Sequence, residues 1–122
     1  MKSIRELMNV VREAEQPTKI IKTVLMAGTQ QGFYIKDVDV KQVIDPERFA
    51  LGTAKRAAEK YNDEMYGYTT SDKKGIWTIS YGEDVLVVLD SASPFFNKFD
   101  PSMEGEYAPE SFVQYYDDNL NY

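Results

Sequence analysis

Ile4, Leu7, Met8, Val11 and Ala14 recur at helical spacing behind a Ser3/Glu6 capping box, and the pattern stops at Pro17. The spacing predicts a helix over residues 3–15. The next stretch reads two ways. Ile20, Ile21, Val24 and Leu25 fit a helix opened by Pro17 and closed near Gly32, while Ile20, Val24 and Met26 also fit one face of a strand. We take the helix as the expectation for residues 17–31. Gly28-Thr29-Gln30-Gln31-Gly32 then reads as its end, since the Lys-Ser/Thr of a phosphate-cradling loop does not follow.

Phe33 to Val40 is rich in aromatic and β-branched residues and predicts a strand. Asp45-Pro46 opens a helix with Asp45 as its N-cap. That helix carries an apolar stripe of Ala50, Leu51, Ala54, Ala57, Ala58 and Tyr61, whose alanines permit close approach to a sheet or a second helix. Gly75–Tyr81 and Val85–Leu89 predict a hairpin turning at Gly82-Glu83, with Trp77 and Ile79 on one face of its first strand. The expected fold is α+β: two or three helices packed on a small, mainly antiparallel sheet with this C-terminal hairpin, followed by an acidic aromatic C-terminal segment.

Charge sharpens that last division. Of 14 basic and 20 acidic residues, residues 91–122 hold only Lys98 on the basic side against Asp100, Glu104, Glu106, Glu110, Asp117 and Asp118. Most of the net charge of −6 therefore lies in the last quarter of the chain. We expect a compact body at 1–99 and a distinct acidic segment at 100–122. At 122 residues the chain is long enough to bury one core without a metal or disulfide staple.

Cysteine and histidine are both absent, which excludes disulfides, thiolate zinc sites, Cys nucleophiles and every His-based catalytic pair. Residues 1–7 lack the apolar core of a secretion signal, and the longest aliphatic run, Val85–Leu89, is too short to span a bilayer. The expectation is a cytoplasmic protein that needs no membrane and no cofactor.

Asp37 and Asp39 stand two apart, so a strand would turn both carboxylates the same way, an arrangement that can hold Mg²⁺ or Mn²⁺ for phosphoryl or glycosyl chemistry. The plainer reading is a solvated face with Val38 and Val40 turned inward. Glu83-Asp84 falls at the hairpin turn, where acids are common. Ser71-Asp72-Lys73-Lys74 has the spacing of a Ser-x-x-Lys pair but lies in a stretch that reads as a loop, where that chemistry has no helix to present it. Two N-terminal helices, a third helix and a hairpin could form a winged-helix nucleic-acid regulator. Against it, the bases are interleaved with acids, and Lys55-Arg56-Lys60 and Lys73-Lys74 are the only small concentrations.

Residues 91–122 also hold eight of the 16 aromatic side chains. A solvated tail has few aromatics. Phe95, Phe96 and Phe99 are expected to fold back and complete the body's core. From Met103 on, aromatic residues alternate with Glu, Asp, Pro and Gly without one period, a composition suited to protein contact. The candidate partner-binding residues are Glu104, Glu106, Tyr107, Glu110, Phe112, Tyr115, Tyr116, Asp117 and Asp118, with the carboxylates steering a basic partner surface. Residues 109–116 can form a short helix, which Asp117 and Asp118 would oppose through the helix dipole unless a partner orders it. Small acidic inhibitors encoded by phages and mobile elements, and immunity proteins, share this general build. The expected function is a non-enzymatic interaction or inhibitor protein, with the winged-helix regulator and a Mg/Mn enzyme using Asp37 and Asp39 as alternatives.

Overall fold

The computed structural model describes residues 17–63 and 66–120. The helix expected at 3–15 lies outside them. Residues 17–31 are the first correction: the segment is not helical but forms strand β1, Lys19–Thr29, which turns at Gln30-Gln31 into β2, Gly32–Val43. Ile21, Thr23 and Leu25 face one side of the sheet, while Val24 and Met26 face the other and join a separate core. A strand buried on both faces loses its apolar/polar alternation and reads as a continuous apolar run. The turn is held by Thr29, whose Oγ1 donates to the Gly32 carbonyl at 2.9 Å and accepts from the Gln31 N–H at 3.2 Å.

Helix α1, Pro46–Tyr61, follows the expected signals: Asp45 accepts from the Glu47 and Arg48 amides at 3.1 and 3.4 Å, and Pro46 occupies the first turn. Strands β3 (Tyr66–Ser71), β4 (Ile76–Tyr81) and β5 (Asp84–Asp90) complete an antiparallel sheet of five strands in the order β2-β1-β5-β4-β3. The hairpin expected around Gly82-Glu83 is β4–β5. Two single 3₁₀ turns, Phe96–Lys98 and Pro101–Met103, lead to helix α2, Glu110–Asn119.

The sheet is covered on both faces. On one, Ala50 and Ala54 of α1 pack on Ile21, Ile79 and Val88, with Phe49, Trp77, Tyr81 and Leu86 around them. The buried helix stripe is narrower than expected, because Leu51 and Tyr61 are exposed; Tyr61 stacks on Tyr66 at 4.2 Å between ring centres. On the other face, Val24, Met26, Ile35, Val38, Ile76, Val87 and Leu89 meet Phe99, Ala108, Phe112 and Leu120 in one core. Residues 100–120 are thus the sheet's second covering layer, and packing draws no boundary at residue 99.

Polar ties at its two ends help to hold that layer. The Lys22 ammonium donates to the carbonyls of Phe96 (2.9 Å) and Phe99 (2.6 Å) and lies 4.3 Å above the Phe96 ring. At the far end Thr70 Oγ1 donates to the Leu120 carbonyl at 2.9 Å and meets the Thr78 hydroxyl. Among the described residues no helix is long and apolar enough to cross a membrane.

Candidate functional site

Residues 104–108 run along the outer edge of β2. The Ile35 N–H donates to the Glu106 carbonyl (2.8 Å), the Gly105 N–H to the Ile35 carbonyl (2.9 Å) and the Ala108 N–H to the Phe33 carbonyl (2.8 Å). This short bridge sets Tyr107 across from Tyr34, their rings 5.9 Å apart edge to face, and brings the Tyr107 hydroxyl to Gln31 Oε1 at 3.0 Å. Pro109 then starts α2, whose spacing turns Phe112 inward while Glu110, Val113 and Asp117 face a groove against the β1–β2 turn. The groove measures about 580 Å³ and is lined by residues 28–33, Ala108, Glu110, Val113 and Asp117. Among the described residues it is lined by two carboxylates and by no lysine or arginine. Tyr34, on β2, and Tyr107, opposite it, are both exposed, and the Tyr107 hydroxyl reaches Gln31 of the groove wall.

The nine residues expected to bind a partner divide by chemistry. Phe112 is a correction: it is fully buried, edge-on to Phe95 and Phe99, because it anchors α2 to the sheet, and it offers nothing to a partner. Tyr116 packs 4.9 Å from Phe33 and its phenol is pushed up, chiefly by burial and then by Asp117. Tyr115 donates its hydroxyl to Asp72 at 2.8 Å, and partial burial followed by that carboxylate raises its phenol too. Asp118 accepts from Gln114 Nε2 at 3.1 Å. Glu104 accepts from the Val38 N–H at 3.3 Å. Glu104, Glu106, Tyr107, Glu110, Asp117 and Asp118 are exposed. Helix α2 runs to Asn119 despite its C-terminal acids, since packing of Phe112 and its neighbours outweighs an unfavourable dipole term of about 0.3–1 kcal/mol.

Asp37 and Asp39 share a face as expected, with Val38 turned inward; Val40 is instead half exposed. They line a second groove, about 330 Å³, between α1 and β1–β2, together with Lys41, Arg56 and Tyr81. Lys41 Nζ lies 3.7 Å from Asp39. Among the described residues no group of three or more carboxylates is arranged to hold a metal ion. The Asp37 carboxyl is raised above its ordinary value by partial desolvation, then by its hydrogen bond and like charge with Glu104, then by Asp39. A raised folded-state value means that ionising Asp37 disfavours the fold, so its contribution to stability is best below the unfolded carboxylate value and is lost as pH rises through the folded one. Asp37→Asn is therefore expected to raise the Tm modestly at about pH 7 and to change it little near about pH 3.5, where Asp37 is protonated anyway; equal shifts at both pH values count against the pairing.

The Ser71–Lys74 stretch is the expected turn: Asp72 Oδ1 accepts from the Lys74 and Ile76 amides at 2.8 and 2.9 Å, and Ser71 Oγ from the Lys73 amide at 3.0 Å. Since β1 occupies Lys19–Thr29, the second of the two N-terminal helices in the winged-helix reading is a strand, and the first, at 3–15, lies outside the described residues. Fold and site together describe an antiparallel α+β protein with an acidic, aromatic-flanked groove at one end of the sheet. No family model, no curated protein and no solved structure matches the chain.

Proposed function

We propose that the protein is a small, non-enzymatic interaction or inhibitor protein that docks on a basic surface of a partner protein. The groove carries the reading: Glu110 and Asp117 face it, no lysine or arginine among the described residues lines it, and the exposed Tyr107 reaches Gln31 of its wall. A lysine or arginine side chain suits such a groove, because carboxylates both steer a cation and hydrogen-bond it, while tyrosines add contact area at low entropy cost. The net charge of −6 favours encounter with basic partners at a distance.

The reading moves the contact surface away from the whole C-terminal segment to its outward residues. Immobilised full-length protein is expected to capture a partner, and raising the salt from about 0.05 to 0.5 M should weaken capture. The double charge reversal E110K/D117K should abolish it with no loss of thermal stability, since both side chains are exposed. Capture that survives this reversal at unchanged strength overturns the proposal.

A further inference from the structure

The free half of β2 holds a second feature, independent of the acidic groove. β2 is an edge strand, and residues 104–108 cover only its first half. Val38 points its N–H outward to Glu104, so by alternation Val40 and Gln42 also point N–H and C=O away from β1. Among the described residues nothing bonds these outward groups of Val40 and Gln42. Apolar side chains on this stretch are open: Val40 is 49% exposed, Ile20, which pairs with Gln42 from β1, is 45% exposed, and Ile44 just beyond the strand is 61% exposed.

An open edge flanked by apolar side chains is a template for another strand. Natural edges are guarded by charges, and here the two on this stretch, Asp39 and Lys41, have opposite sign and straddle Val40. That spacing selects the partner. When two copies of β2 pair antiparallel about a two-fold axis at Val40, Asp39 of each copy faces Lys41 of the other, and Val40 faces Val40. Moving the axis to Lys41 sets Lys41 against Lys41; moving it to Gln42 sets Asp39 against Asp45. Like charges directly opposite are disfavoured, so one register is selected.

We propose that the Asp39–Gln42 edge pairs with the same edge of a second copy of this chain, in the register centred on Val40, giving a continuous sheet of ten strands. Val40 of each copy exchanges both backbone hydrogen bonds with Val40 of the other. Glu104 releases the Val38 N–H to the Gln42 carbonyl of the second copy. The ion pair between Lys41 and Asp39 within one chain, 3.7 Å long and half exposed, is traded for two between chains.

Sedimentation equilibrium of the full chain over about 10 µM to 1 mM, a range suited to a weak interface, tests this. The mass is expected to rise from 14.0 kDa toward twice that value. D39K should weaken association about tenfold or more by opposing Lys41 to lysine, although it reduces the overall repulsion between acidic chains. The swap D39K/K41D restores opposite charges across the axis and should restore association, an outcome misfolding cannot mimic. V40P removes only an outward N–H and should abolish association while the far-ultraviolet circular dichroism stays unchanged. A chain that stays at 14.0 kDa throughout, or one whose association is untouched by D39K and V40P, overturns the proposal.

Discussion

Removing residues 101–122 is expected to abolish cooperative folding. The truncation takes away Phe112, Leu120 and Ala108, all buried against Val24, Met26, Ile35, Val38, Ile76, Val87 and Leu89. Deleting one buried phenylalanine side chain costs about 3–5 kcal/mol and one leucine about 2–5 kcal/mol. Those two losses alone rival the whole stability of an ordinary domain, about 5–15 kcal/mol. The segment also seals the first half of the β2 edge through three backbone hydrogen bonds. Chemical denaturation followed by circular dichroism should show a sigmoidal transition for the full chain and a gradual drift for the truncated one. A truncated chain that melts within about 5 °C of the full one would mean that the sheet folds without its second layer.

Gly67→Ala is the second large effect. Gly67 sits in β3 with φ of +100°, a conformation L-residues rarely adopt, and a Cβ there would lie 2.4 Å from the Ala54 carbonyl oxygen and 3.1 Å from the Ala58 Cβ. Strained backbone of this kind costs about 1–3 kcal/mol before any clash is counted. The oxygen belongs to the backbone of α1, so the whole helix must move away from β3. A Tm fall of roughly 10 °C or more is expected. Gly52→Ala is the comparison: it lies within α1, its added Cβ meets only the flexible Arg56 guanidinium at 3.4 Å, and the change should stabilise by about 0.5–1 kcal/mol. If the two variants melt alike, the close approach of α1 to β3 is not what Gly67 serves.

The parts of the fold legible in the sequence are those written in local chemistry. Asp45-Pro46 states where α1 starts, Gly82-Glu83 states where β4 turns into β5, and the alanines of α1 announce a close contact that Gly67 then explains. β1 was not legible, because a central strand buried on both faces has no polar side to reveal its period. Its β-branched Ile20, Ile21, Thr23 and Val24 were the available signal. Of the residues read as partner-binding, Glu110 and Asp117 are exposed, while the aromatics between them turn to the sheet. Phe112 and Tyr116 belong to a layer whose complementary surface is the sheet itself, spread over four strands distant in sequence. The groove needs the β1–β2 turn as its second wall, and no local pattern could show that Gly28–Phe33 stands opposite α2.

The strand order also governs how the chain reaches this structure. β1–β2 and β4–β5 are hairpins that can form from neighbouring residues within microseconds. They join only through β1 and β5, where Ala27 meets Asp84 and Ile21 meets Asp90. That antiparallel seam closes a loop containing β2, α1, β3 and β4, and its entropy must be spent before any contact across it repays the loss. Its formation should therefore set the folding rate, on the millisecond-to-second scale of mixed and β-rich domains rather than that of helical bundles. Until it closes, the two hairpins are separate pieces with bare edges on both sides, so refolding yield should fall with protein concentration even where the finished protein is soluble.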